Sequence, residues 1–284
     1  MDTATNADMI EFWNGDAAQK WVRFQEMMDV SLLPMGRCAM EAAKPKAGER
    51  VIDVGSGCGG TTFELVRRVA PDGAVLGVDI SEPMLARARA RIGPEKAVAF
   101  EHGDAQVHEF AKAAYDLVFS RFGVMFFSDP EAAFRNLRSA LKPGGRIAFV
   151  CWPPAKENPW VKIPTGIVKA HIELPPPPEP NDPGEFAFAD SDRVQHILAA
   201  AGFADIQIDR HNMPITLAPG GGLDGAIEFF LEMGPTGRAI ANADAGGDLK
   251  SRITADLREG LRPFLTDAGV VMDASIWQVS ARAG

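Results

Sequence analysis

Between Asp53 and Gly60 the chain reads Asp-Val-Gly-Ser-Gly-Cys-Gly-Gly, and Asp79 follows 19 residues past Gly60. The run sits after a short apolar segment, VIDV, and before an amphipathic one, TTFELVRRV. At a strand-to-helix turn, glycines adopt positive φ and let the backbone approach a ligand closely. The start of the helix favours a negative group. Asp79 ends the next apolar run, where a carboxylate can accept hydrogen bonds from both hydroxyls of a ribose. Together these residues predict a nucleoside-containing cofactor at the carboxyl ends of the first strands.

Gly55, Gly57 and Gly60 also fit the dinucleotide spacing, so a nicotinamide cofactor competes. Three features favour a methionine-bearing nucleoside instead. Asp53 lies two residues before the first glycine, where it would face the diphosphate of NAD; it suits an ammonium, directly or through water. Gly103-Asp104-Ala105 follows a third apolar run, and its acidic side chain and backbone amide can read the edge of an adenine. About 50 residues precede the first strand, whereas in many NAD domains that strand opens the chain.

A general base is harder to assign. Of the five histidines, His102 falls in a predicted strand and His196 on a predicted helix, which suits structural roles. His108, just after the adenine-reading segment, and His171 are the two weak candidates, since imidazole titrates near neutrality. Cys58 sits at a helix start, which would lower its pKa, although a backbone role in the turn is favoured for it. Cys38, Cys58 and Cys151 are too widely spaced for a disulfide framework or a metal site, and no metal is expected.

The elements that must position these residues alternate. Strands are predicted at 51–54, 74–79, 97–103, 116–122 and 146–152, and helices at 61–69, 83–92 and 130–141. Ser81 is the expected N-cap of the second helix, with Pro83 just inside it. Lys142-Pro143-Gly144-Gly145 should close the third. This rhythm implies a doubly wound, Rossmann-like α/β sheet.

Residues 1–48 read as an N-terminal helical lid. Trp13, Ala17, Trp21, Phe24 and Met28 share one face, and Pro34 should interrupt the helix beyond Met28. Residues 49–152 form the nucleoside-binding core. Residues 153–192 form a proline-rich connection or cap; 153–190 holds ten prolines, including Pro175–Pro178, with room for a short helix around 160–172. The core resumes at 193–212 with a helix and a strand at 204–209. Residues 213–273 form a helical substrate cap or interface, broken at Gly234-Pro235 and Gly246-Gly247. Residues 274–284 carry the final strand.

The formal charge of −9 disfavours general nucleic-acid binding. Arg87, Arg89 and Arg91 spread around a predicted helix as a solvated face. The N-terminal stretch lacks the apolar core of a signal peptide, and no apolar run reaches about 18 residues. These features predict a cytoplasmic chain without stable membrane insertion, with a homodimer possible through the 222–266 helices.

As a set, these segments resemble the class I S-adenosylmethionine-dependent methyltransferases. VIDVGSGCGG is similar to their first motif, GVDIS to the acidic ribose motif and GDA to the adenine motif. YDLVFSRFGVMFF with LKPGGRIAFV is similar to the subgroup that includes the ubiquinone/menaquinone-biosynthesis and small-molecule methyltransferases. The resemblance covers residues 1–209 and extends to the final strand. It implies a seven-stranded sheet with an antiparallel last strand, S-adenosyl-L-methionine as cofactor and S-adenosyl-L-homocysteine as product.

Carried over, Asp53, Gly55, Ser56 and Gly57 would hold the methionine part and Asp79 the ribose. Ile80 and Met84 would pack on adenine, with Gly103, Asp104 and Ala105 at its edge. Ser120, Arg121 and Phe122 would face the methionine and the methyl, and Trp21 would cover the cofactor. A small, partly apolar acceptor would lie against Phe24, Met28, Phe122, Trp160 and Phe229, with Phe186, Phe188, Phe230 and Met233 nearby. The competing readings are a nicotinamide-dependent oxidoreductase and a non-catalytic protein that binds S-adenosylmethionine or its product.

Overall fold

The computed structural model describes residues 6–93, 97–174, 176, 179, 181–243 and 246–284. Pro175, Pro177 and Pro178 of the proline run, and residues 1–5 of the polar N-terminus, lie outside the described residues.

The first half of the chain forms α1 (Ala7–Asn14), α2 (Asp16–Arg23), α3 (Gln25–Ala43), β1 (Arg50–Val54), α4 (Gly60–Val69), β2 (Ala74–Asp79), α5 (Glu82–Ala90), β3 (Val98–His102), β4 (Tyr115–Arg121), α6 (Pro130–Ala140) and β5 (Leu141–Cys151). Then come α7 (Pro159–Lys169), α8 (Ser191–Ala200), β6 (Phe203–Leu217), α9 (Gly222–Glu232), α10 (Gly234–Asn242), α11 (Gly247–Leu261), β7 (Leu265–Thr266) and β8 (Gly269–Ala283). The main sheet runs β3-β2-β1-β4-β5-β8-β6, with the short β7 paired to β8. The β1–β5 pairings are parallel, and β8 is antiparallel to both β5 and β6. This matches the expected seven-stranded sheet with an antiparallel last strand; β7 is a two-residue addition.

Local chemistry sets the boundaries. The Ser81 hydroxyl caps α5 by accepting from Met84 N–H, with Pro83 in the first turn. Asp129 caps α6 through Ala132 N–H at 2.9 Å, and Asp190 caps α8 through Asp192 N–H. In β1, Val51, Ile52, Asp53 and Val54 are all buried, as expected for a parallel strand covered on both faces.

Several elements differ from the sequence expectation. Among the described residues, the N-terminal region is three helices, broken at Gly15 and Phe24, rather than one continuous face. Pro34 lies inside α3 instead of interrupting it. A proline removes one bond of the helical ladder locally, while Leu32, Met35, Gly36, Ala39 and Met40 are buried as α3 crosses β4, β5, β6 and β8. Lys142–Gly145 does not stand apart as a helix stop. β5 already begins at Leu141, which pairs with Tyr115; the next pairing is Arg146 with Leu117, so the four residues between bulge out of the register.

The largest difference is in the last two long strands. β6 reaches Leu217 and β8 starts at Gly269, so the strand predicted at 204–209 and the one placed after residue 274 are both too short. They pair from Phe203–Ala283 to Leu217–Val270. The helices α9, α10 and α11 therefore stand on a two-stranded arm, between its strands.

Candidate active site

The carboxyl ends of β1, β2, β3 and β4 open into a cavity of about 400 Å³. Val54–Cys58, Val78–Ile80, Gly103–Ala105 and Arg121–Gly123 line its sheet side. Its volume falls in the range of small-molecule sites.

The glycine turn has the shape its sequence demands. Gly55 and Gly57 have φ of 67° and 54°. A Cβ on Gly55 would lie 2.6 Å from the Cα of Gly123, where the loops after β1 and β4 cross. Asp79 holds the turn from below: its Oδ2 accepts from Gly57 N–H at 2.7 Å and its Oδ1 from Ser81 N–H at 2.8 Å. Each carboxylate oxygen retains a further lone pair for a ligand. Burial raises the Asp79 pKa against these hydrogen bonds. Asp104 is likewise raised by burial, and its Oδ1 accepts from Gln106 N–H. Ser56 is buried on the cavity wall, and its hydroxyl has no hydrogen-bond partner among the described residues.

The structure separates the other expected site residues into two groups. Trp21, Met28, Gly55, Ser56, Gly57, Asp79, Ile80, Met84, Gly103, Asp104, Ala105, Arg121, Phe122, Trp160 and Phe229 all line the cavity. Asp53 does not. It is fully buried behind Val54, and its Oδ2 accepts from the Thr61 and Thr62 hydroxyls at 2.8 and 2.6 Å. Its Oδ1 is unpaired among the described residues, and burial pushes the carboxyl up to about 6. Ser120 is also off the wall: its hydroxyl donates to Val54 O and accepts from Gly123 N–H, tying β4 to β1. Phe24 is buried beside the Arg23 guanidinium, away from the cavity.

Neither weak base candidate reaches the cavity. His108 meets Glu101 at 3.1 Å, and His171 meets Asp256 at 2.8 Å. Cys58 lines the cavity, but its thiol is pushed up to about 12 by burial, the reverse of the expected lowering. The arginines expected on a solvated face are engaged: Arg87 with Gln25 and Glu26, Arg89 with Glu82, and Arg91 with Asp29 and Cys58 O. Phe186, Phe188 and Phe230 lie off the wall, whereas Met233 is on it.

Trp152, Ile215, Leu217, Asn6, Gln25 and Asp29 are wall residues absent from the sequence expectation. Phe122, held at φ 65°, stacks on Trp152 with centroids 4.1 Å apart, and Trp152 meets Trp160 at 5.0 Å. Ile215 and Leu217 of β6 also line the cavity. Their alternation is visible in the sequence, but it lies beyond the predicted end of the strand. Asn6 donates to Phe126 O, and Asn14 donates to Ile80 O and accepts from Glu82 N–H, so α1 is pinned at both ends. Gln25 and Asp29 line the wall from α3. Their i,i+4 spacing is the available signal.

The sheet order is that of the class I S-adenosylmethionine-dependent methyltransferases. Residues 51–145 match the family model described as a methyltransferase domain, and this segment belongs to that family. Aklanonic acid methyltransferase of a Streptomyces species is 34% identical over 118 residues, covering 41% of this chain and 54% of that protein. Demethylmenaquinone methyltransferase of Thermus thermophilus is 38% identical over 121 residues, 42% of this chain and 54% of that one. Nocamycin O-methyltransferase of Saccharothrix syringae is 30% identical over 186 residues, 61% and 66%. The chain thus spans between about half and two thirds of the length of these relatives. Among solved structures, phosphoethanolamine N-methyltransferase 2 of Haemonchus contortus, in complex with S-adenosyl-L-methionine, superposes with a TM-score of 0.58 at 20% identity, covering 99% of this chain and 60% of that one. The [4+2]-cyclase SpnF superposes at 0.51 with 19% identity, covering 88% and 80%. At these identities the likeness concerns the fold.

Proposed function

We propose that this chain transfers a methyl group from S-adenosylmethionine to a small, partly apolar acceptor. The observation that carries it is one cavity with two unlike ends. At the sheet end, Asp79, the glycine turn, the unpartnered Ser56 hydroxyl and Asp104 suit an adenosine bearing an amino-acid tail. At the other, Met28, Leu32, Trp152, Trp160, Ile215, Leu217, Phe229 and Met233 suit an apolar body.

When bound, S-adenosylmethionine supplies a methyl already activated on a sulfonium, which departs as a neutral thioether as the acceptor's electron pair bonds to the carbon. This chain's residues supply position and dryness. Asp79 would accept from the ribose hydroxyls, and Ile80, Met84 and Asp104 would hold the adenine. Phe122 stacked on Trp152, with Trp160 tilted by 53° against Trp152, forms an aromatic corner of the cavity against which an acceptor can be held in line. α1 and α2, tied down through Asn6 and Asn14, exclude water. A residue acting as base is required only where the acceptor's proton has a high pKa.

The test is methyl transfer from labelled S-adenosylmethionine to a panel of apolar phenols, carboxylic acids, amines and carbon acids. Labelled product with at least one class is expected. No product with any class, despite cofactor binding, would leave a binding protein instead of an enzyme.

A further inference from the structure

Among the described residues, three ion pairs line the cavity. Lys20–Glu232 and Arg238–Glu185 bring the cap helices to α2 and to the 185 loop. The third, Asp29–Arg121, stands beside the glycine turn and is built differently. Asp29 Oδ2 accepts from Gln25 Nε2 at 2.6 Å and from Arg91 Nη2 at 2.9 Å. Its Oδ1 is 3.7 Å from Arg121 Nη2, too far for a good hydrogen bond. One face of the carboxylate is thus fixed while the other keeps its accepting capacity. The Arg121 side chain is only 12% exposed; its one ion-pair contact among the described residues is this distant carboxylate, and the buried Asp53 carboxyl acts on its charge as well.

The expected partner for an ammonium, Asp53, is shut behind β1 by two threonines. Asp29 and Arg121 instead lie on the cavity wall together with Gly55 and Ser56. We propose that they receive the amino-acid tail of the cofactor: Asp29 Oδ1 accepts from its α-ammonium, and Arg121 donates to its α-carboxylate. This presupposes S-adenosylmethionine in the cavity, as proposed above. A zwitterion suits a pair of opposite charges that do not fully satisfy each other, because each gains a charge-assisted hydrogen bond and the net charge of the site is unchanged. Asp29 belongs to α3, so the contact would also make the N-terminal helices part of the cofactor site.

Calorimetry with three ligands tests this: S-adenosylhomocysteine, its decarboxylated analogue, and 5′-methylthioadenosine, which lacks the tail. In the wild-type protein the decarboxylated analogue should bind more weakly than S-adenosylhomocysteine. Arg121→Lys and Asp29→Asn should each weaken S-adenosylhomocysteine by about ten- to hundredfold, the scale of one hydrogen bond to a charged group, and leave 5′-methylthioadenosine within about twofold. Equal losses for both ligands, or a wild-type protein indifferent to the tail carboxylate, would overturn the assignment while leaving the methyltransferase reading intact. A wild-type protein that binds none of the three would refute that reading itself.

Discussion

The two aspartates of the first two strands show how one residue type takes opposite roles. Asp79 faces the cavity with both oxygens anchored by backbone N–H groups. Asp79→Asn replaces one acceptor with a donor aimed at an N–H. It should weaken S-adenosylhomocysteine by at least about tenfold in calorimetry, and an unchanged affinity would remove its ribose role. Asp53 faces inward with a carboxyl at about 6, above its ordinary 3.8. The folded state therefore holds the proton more tightly than the unfolded chain. The stability this contributes is full below the ordinary value and is lost as pH rises through about 6. Asp53→Asn should thus gain on the wild type by about 3 kcal/mol between about pH 4 and pH 8, read from urea midpoints. Asp79 is legible because the end of a parallel strand next to a glycine turn is a fixed position. Asp53 misleads because its orientation depends on Thr61 and Thr62. Both are in plain view, but the sequence does not show that their hydroxyls take the carboxylate.

The elements are more legible than their lengths. Strong punctuation marks β1 to β4 and α4 to α6, since Gly-rich turns, Ser81-Glu82-Pro83 and Asp129-Pro130 each have a local mechanism. The excess length of β6 and β8 has no local signature. Thirteen paired positions in the arm are decided by each strand finding the other across the chain. Likewise α3 runs through the exposed Pro34 because its buried neighbours, and not local propensity, hold the helix. At this scale the crossing of Gly55 over Gly123 is a tightly constrained backbone contact near the site. Gly55→Ala adds a methyl 2.6 Å from a backbone carbon at a left-handed φ. It should cost about 1–3 kcal/mol in urea unfolding and also weaken cofactor binding. A loss under about 0.5 kcal/mol would mean the two loops part easily.

Across the whole molecule, the cavity is closed by groups far apart in sequence. The N-terminal helices join α9 through Arg23–Glu228 and Lys20–Glu232, and the β2–α5 turn through Asn14. The Arg23–Glu228 pair is half-exposed, so Arg23→Ala should change stability by less than about 0.5 kcal/mol. Asn14→Ala removes two hydrogen bonds to the β2–α5 turn and should reduce amide-exchange protection in α1 and α2 far more. Equal effects would mean that the ion pairs, not Asn14, hold α1 and α2 in place. Whether the cavity these helices close was made for S-adenosylmethionine is the central question, and the glycine spacing alone leaves NAD as a rival. Calorimetric titration of the intact chain with S-adenosylhomocysteine and with NAD decides it most directly. Saturable one-to-one binding of S-adenosylhomocysteine, with no heat of binding from NAD, is the expected result. Tight binding of NAD with no response to S-adenosylhomocysteine would contradict the account.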